Sequence, residues 1–280
     1  MNKLVTIVFN AYLSDYSLSK VLPYLSNFKV LIIENSKSLD LKIKLEKKYK
    51  NVNVIIPPKN LGLAAGYNLG IKKSKTKYVF LNAPDIKITK IAINNLINLA
   101  EKIKDFGIIS PIYEDESSYK NYSIYQKKIS STISRVNWID NNYLVNRKKI
   151  KSYLFDENYF LYFENIHFCL NLNRNKQPLY VAKNVKFKHY WSKSVDLKHT
   201  KIVQLTRAFH YNWSKFYFYR KNYNYFYALT KILPNFYQAL KNCLLSIINA
   251  KFFYLKLHLT EIYGILSAMF LTKSFYRANE

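Results

Sequence analysis

The residue types best suited to hold a phosphorylated ligand fall in one stretch, Asn60 to Asp85, NLGLAAGYNLGIKKSKTKYVFLNAPD. Gly62 and Gly66 carry no Cβ. They let the backbone come close to a ligand where a helix begins and unpaired N–H groups favour anions. Asp85 follows an apolar run, and a carboxylate there can hold a divalent cation bridging two phosphates. Other polar groups end strand-like runs in the same way: Asn10 after LVTIVF, and Glu34-Asn35 after FKVLII. Taken singly, a glycine-rich turn also reads as only a turn, and Asp85 as a cap.

Elements must bring these groups together. Leu4–Phe9, Phe28–Ile33, Asn51–Ile56 and Lys77–Leu81 read as buried strands, the third stopped by Pro57 and Pro58. Between them, Leu18, Val21, Leu22 and Leu25 recur at helical spacing, and helices are expected near 38–49 and 64–73. Strands alternating with helices predict a mostly parallel sheet covered on both faces. In such a sheet a nucleotide lies at the carboxyl ends of the strands, where these polar groups stand. Beyond a helix at 91–104 come a strand at 107–112, a polar loop at 113–134 and strand character at 135–146. A helix at 164–174 and a strand at 179–187 follow. From about Lys198 the pattern is helical throughout.

The 280 residues carry 44 Lys and Arg against 17 Asp and Glu, a net charge of +27. That excess suits an anionic partner such as a membrane face, nucleic acid or diphosphate. It also suits compositional drift, since Lys, Asn, Ile and Tyr are plentiful throughout. Cys169 and Cys243 have no metal-type spacing and read as buried thiols. The N-terminal apolar run is too short for a signal peptide, and no stretch reaches the ~18 apolar residues of a spanning helix.

The order of these features resembles the family 2 glycosyltransferases of GT-A fold, and within them the rhamnosyltransferase-like enzymes. Asn60 to Gly70 matches their N-x-G-x-x-x-G-x-N-x-G without a gap. Phe9-Asn10, Glu34-Asn35-Ser36 and Ala83-Pro84-Asp85 stand at the other motif positions of the first half. Residues 155–170, FDENYFLYFENIHFCL, resemble the segment F-D-E-x-F-F-L-Y-F-E-D-x-D-L-C-L, and 181–189 the strand that ends in a histidine. Ser214 to Lys221 resembles a later S-x-x-x-F-x-x-K helix.

The resemblance implies an inverting transferase that uses a nucleotide sugar and a divalent metal, Mg or Mn. Asp85 and His189 fall on the metal side. Asn10, Glu34, Asn35, Asn60, Gly62, Gly66 and Asn68 fall on the nucleotide. Glu164 and Asn165 occupy the place of the catalytic base. Four positions depart from the pattern: Asn165 and His167 replace acids, Ala83 replaces a possible ligand, and Glu34 replaces a shorter Asp. Glu164 as base with Asn82 compensating for Ala83, His167 as base, and a binding protein with little turnover all remain open.

The expected organisation is a GT-A catalytic domain at 1–197 and a helical extension at 198–280. In the extension Lys and Arg alternate with Tyr, Phe and Leu, and an interfacial helix is expected near 235–273. With a lipid-linked saccharide or glycan as acceptor, the chain is expected in the cytoplasm, peripheral on the inner membrane face. A non-catalytic scaffolding subunit is the rival. A nucleic-acid binder ranks third, because the charge is spread along the chain and no such motif appears.

Overall fold

The first strand, β1 (Val5–Ala11), is β-branched and apolar because both of its sides are covered. Its odd residues Val5, Ile7 and Phe9 join a core with Leu18 and Val21 of α1 (Asp15–Val21) and Leu41 and Leu45 of α2 (Leu39–Lys48). On the other side Val8 lies under Gly70 of α3 (Gly62–Lys73), so closely that a Cβ on Gly70 would stand 2.3 Å from Val8 Cγ1. The remaining strands of this half are β2 (Lys29–Glu34), β3 (Val52–Ile55) and β4 (Tyr78–Asn82). They pair in parallel in the order β3-β2-β1-β4.

The structure is a computed structural model and describes residues 2–115, 120–123, 127–189, 194–196 and 199–277. Parts of the expected polar loop and the expected boundary at 197–198 lie outside the described residues. Past β4 come β5 (Ile86–Lys87), α4 (Lys90–Ile103), β6 (Ile108–Tyr113), β7 (Lys127–Lys128), β8 (Ile133–Val136) and β9 (Tyr143–Asn146). A short α5 (Arg147–Ile150), α6 (Glu164–Arg174) and β10 (Leu179–His189) follow. The sheet continues from β4 through β9, β6, β10 and β8 to β7, with β5 on β10. It is mixed: β5, β8 and β9 run against the other strands among the described residues. Helices flank it, α4 being packed on β6 and β10.

The described residues form two units. One comprises Met1–Phe155 and Asn165–Leu197, and the other Asp156–Glu164 and Lys198–Glu280. The second holds α7 (Thr200–Asn222), α8 (Tyr225–Ile248) and α9 (Phe252–Met269) around Phe209, Trp213, Phe216, Ile232 and Ile265. Asn224 caps α8 by accepting from Tyr227 N. Gly264 lets α9 approach α7, because a Cβ there would meet Phe209 O at 2.4 Å.

Three local expectations change. The helix read through Leu18–Leu25 is α1 followed by a 3-10 turn at Leu22–Leu25, where Pro23 removes an N–H. The strand read at 135–146 is two strands, β8 and β9, separated by a turn in which Asn142 takes φ 68°. The single interfacial helix read near 235–273 is the end of α8 and all of α9. Ala250 turns the chain with φ 52°, while Lys251 N closes on Ser246 O. No helix among the described residues is long and apolar enough to cross a membrane.

Candidate active site

Parallel pairing sets β1 and β2 side by side with Ala11 opposite Glu34, so Asn10 and Asn35 emerge together at the strand ends. Asn35 Nδ2 donates to Asn10 Oδ1 at 2.5 Å. Asn10 Nδ2 donates to Gly62 O at 2.8 Å, and Asn35 Oδ1 accepts from Leu61 N at 2.9 Å. Asn60 Oδ1 accepts from Gly62 N at 3.0 Å. Asn10 and Asn35 therefore tie β1, β2 and the start of α3 together. Gly62 has φ 71°, which L side chains seldom adopt. At Gly66 a Cβ would stand 2.3 Å from Asn10 Oδ1, so only glycine lets α3 pass over that amide.

Glu34 is wholly buried at the same strand end. Its Oε1 accepts from Ser36 N at 2.7 Å and from Ser36 Oγ. Its Oε2 is buried with no hydrogen-bond partner among the described residues. Burial holds its pKa above the usual carboxylate value, against the pull of the Ser36 bonds. A buried acceptor without a donor costs stability unless a ligand supplies one.

Asn68 follows on α3 and is buried. Its amide clasps the backbone of Phe155, giving to Phe155 O at 2.9 Å and accepting from Phe155 N at 3.0 Å.

Asp85 and His189 are separated by 103 intervening residues and are joined by register. β5 pairs antiparallel with β10 so that Ile86 lies opposite His189, which places Asp85 beside it. His189 Nε2 and Asp85 Oδ2 are 3.2 Å apart, and Tyr113 stacks on the imidazole with ring centroids 5.4 Å apart. Asn82 Nδ2 closes the turn between β4 and β5 by donating to Ile86 O at 3.0 Å. Its Oδ1 is buried with no hydrogen-bond partner among the described residues. Ala83 contributes its backbone, its N–H donating to Asn142 Oδ1 at 2.9 Å.

These donors fit a divalent cation. A carboxylate oxygen and an imidazole nitrogen stand side by side, with an orphaned amide oxygen three residues before Asp85. No cluster of three or more His, Cys, Asp or Glu occurs among the described residues. A site with few protein ligands leaves positions for phosphate oxygens and water, as Mg²⁺ and related cations require.

α6 begins at Glu164, which is buried. The two residues before it, Tyr162 and Phe163, both have left-handed φ, 69° and 63°. Such backbone costs about 1–2 kcal/mol per residue and is kept where surroundings enforce it. Within the helical unit, Ser214 Oγ donates to Leu161 O at 2.8 Å, and the Tyr211 ring packs against both Tyr162 and Phe163. Asp156, at the start of this segment, accepts from Tyr217 OH and Lys221 Nζ at 3.0 and 2.7 Å. Burial alone would raise the Asp156 pKa, but the bonds from Lys221 and Asn158 outweigh it and hold it low.

Asn165 is spoken for: Tyr143 OH donates to its Oδ1 at 3.1 Å, and its Nδ2 donates to Asn141 Oδ1 at 2.7 Å. Both ends of an amide are needed for that pair of contacts. His167 follows on α6 and is buried.

The structure thus brings Asn10, Asn35, Asn60, Gly62 and Gly66 together, and separately Asp85 with His189. Sequence reasoning missed Tyr113, Asn141, Asn142 and Tyr143. The only signal for them was an Asn-Asn pair ahead of an apolar strand.

Solved structures share this fold at low identity. S. aureus TarS 1-349 in complex with UDP-GlcNAc aligns with a TM-score of 0.55 at 14% identity, covering 98% of this chain and 93% of that one. GalNAc-T7 with UDP, GalNAc and Mn2+ aligns at 0.54 and 15%, covering 66% and 43%. The longer S. aureus TarS structure gives 0.51 and 12%, with 73% of this chain covered. The chain spans only 39% of that protein's length. No curated protein matches the sequence. The family described as "Glycosyl transferase family 2" matches residues 13–169, more than half of the sequence. With that match and a GT-A fold of mixed sheet and flanking helices, the chain belongs to glycosyl transferase family 2.

Proposed function

We propose that the chain is an inverting glycosyltransferase. It moves a hexose-type sugar from a nucleoside diphosphate to a lipid-linked or polysaccharide acceptor of the cell surface, at the cytoplasmic face of the membrane. The observation that carries this reading is the asparagine network at the ends of β1 and β2, locked to the glycine-opened start of α3. It resembles a preformed seat for a nucleotide, with Glu34 Oε2 offering an unmet acceptor to a base N–H. The TarS and GalNAc-T7 structures hold UDP-GlcNAc, and UDP with GalNAc and Mn2+, which supports a nucleotide-sugar donor for this fold.

Asp85 and His189 would hold the divalent cation, with Asn82 standing in for the ligand absent at Ala83. When bound, such a cation offsets negative charge on the diphosphate leaving group. Glu164 would take the proton from the acceptor hydroxyl, as the carboxylate nearest in sequence to the usual base. The 1–197 region would form the catalytic domain and 198–280 the membrane-side extension.

A second reading is favoured by Asn165, whose amide is committed at both ends, and by Ala83: a donor-binding protein with little turnover. One experiment separates them. The purified chain is incubated with a panel of nucleotide sugars and Mg²⁺ or Mn²⁺, and released nucleoside diphosphate is measured alongside thermal shift. Turnover is expected, and Glu164→Gln should lower it by about 10²–10⁴-fold while leaving the thermal shift in place. Shift without turnover supports the second reading. Neither shift nor turnover sinks both.

A further inference from the structure

Helix α8 buries only a narrow seam: Ala228, Ile232, Ala239, Cys243 and Ser246. On its open side Leu233, Tyr237, Leu240, Leu244 and Ile248 follow one another at intervals of three or four, a single stripe along the helix. All five are exposed, from 36% at Leu233 to 78% at Ile248, and Phe252 beyond the turn is 79% exposed. An unbroken apolar stripe of this length is not left to water without an occupant.

Charge selects among occupants. From Tyr225 to Arg277 the chain carries six basic residues, Lys231, Lys241, Lys251, Lys256, Lys273 and Arg277. The single acid in that span is Glu261, and it is hydrogen-bonded to His258 at 2.9 Å. Lys241 and Lys251 are exposed beside the stripe. A second copy packed two-fold on α8 would set these lysines against their own equivalents with no acid to meet them. An anionic lipid surface answers both features, since the apolar stripe enters the acyl boundary while the lysines reach headgroup phosphates.

We infer that α8 is an interfacial helix, lying in the plane of an anionic bilayer with the stripe from Leu233 to Ile248 turned into it. The purpose rests on the proposed acceptor being held at a membrane, but the binding does not depend on turnover. Tyr237 sits at the depth of headgroups, and Phe252 extends the contact past the turn at Ala250.

The test is co-sedimentation of the full chain with vesicles of phosphatidylcholine alone, and of phosphatidylcholine and phosphatidylglycerol in equal parts. Sedimentation with the mixed vesicles is expected, weakening with salt and much reduced on phosphatidylcholine alone. Leu244→Asn with Ile248→Asn should lower partitioning by roughly tenfold or more, with donor hydrolysis unchanged. Lys241→Gln with Lys251→Gln should also lower it by roughly tenfold, on mixed vesicles only. Equal binding by wild type and the stripe variant overturns the proposal, as does no binding by wild type. A concentration-dependent dimer in lipid-free solution that the stripe variant abolishes also overturns it, because a second copy then covers the face. Loss of hydrolysis in every protein would count against the transferase reading and leave the lipid result standing.

Discussion

The strand ends of the sheet and the outer side of α8 break the same rule in opposite directions. At the strand ends Glu34, Asn35, Asn82 and Asp85 are buried, where apolar side chains would pack at no electrostatic cost. On α8, Leu244, Ile247 and Ile248 stand in water, where Lys or Glu would be neutral. An exposed apolar side chain forgoes stabilisation but disturbs nothing around it. A buried polar one must be hydrogen-bonded or it costs about 1–3 kcal/mol. The first region is therefore rigidly specified and the second is tolerant. The asymmetry predicts where substitutions will be felt.

Gly66→Ala should be the most damaging. The added Cβ would overlap an amide already held by Gly62 O and Asn35 Nδ2, so it cannot be relieved by swinging a free side chain. A loss of about 3 kcal/mol is expected from overpacking together with a broken hydrogen bond, and nucleotide-induced thermal shift should vanish. Denaturant titration measures the first and a UDP titration the second. If Gly66→Ala were as stable as wild type, the strand-end network would not be the rigid half of the comparison.

How much of this was legible follows the same division. The Asn60–Gly70 spacing was readable because glycines report backbone geometry directly, and that geometry appears at Gly62 and Gly66. The Asp85–His189 pairing was expected from the resemblance alone. No local signal links residues so far apart, and only the β5–β10 register makes them meet. Asn35 was marked as a site residue, but its position as the link between Asn10 and Leu61 needs the parallel pairing of β1 with β2. The left-handed pair Tyr162-Phe163 was not readable. Positive φ is normally announced by Gly or Asn, and here Ser214 and Tyr211 enforce it from another helix. Ala250 hid the break between α8 and α9 for the same reason.

A buried polar group of the helical unit, His210, sharpens the contrast. His210 is wholly buried, with Phe160 and Phe209 against its ring. Its Nε2–H donates to Tyr276 O at 2.7 Å, and its Nδ1 accepts from Ser274 Oγ at 2.8 Å, so the neutral ring is fully used. Burial, aided by the Arg277 guanidinium and opposed by the Tyr276 bond, pushes its pKa down to about 3. The unfolded chain takes up this proton near pH 6.5 and the folded one does not until about pH 3. Its stabilisation is therefore complete above pH 6.5 and is lost as pH falls through that window. At pH 5 the loss is about 2 kcal/mol. Denaturant titration at pH 7 and pH 5 reads it, and His210→Asn should remove most of the difference. A wild-type midpoint that does not move between the two would place the proton on the folded chain.

The smallest effect should come from the exposed stripe, and it is the one that completes the comparison. Leu244→Asn with Ile248→Asn removes two large apolar side chains that are mostly in water already. Nothing packed is lost and no partner is stranded. The helix propensity of Asn is lower than that of Leu or Ile by only a few tenths of a kcal/mol per site. Unfolding free energy in the absence of lipid should therefore change by no more than about 1 kcal/mol, against about 3 for the single methyl of Gly66→Ala. If instead these two changes destabilised the lipid-free protein as strongly as Gly66→Ala, the stripe would be covered within the protein in solution. The distinction between a specified interior and a tolerant surface would then fail at the helix where it is drawn most sharply.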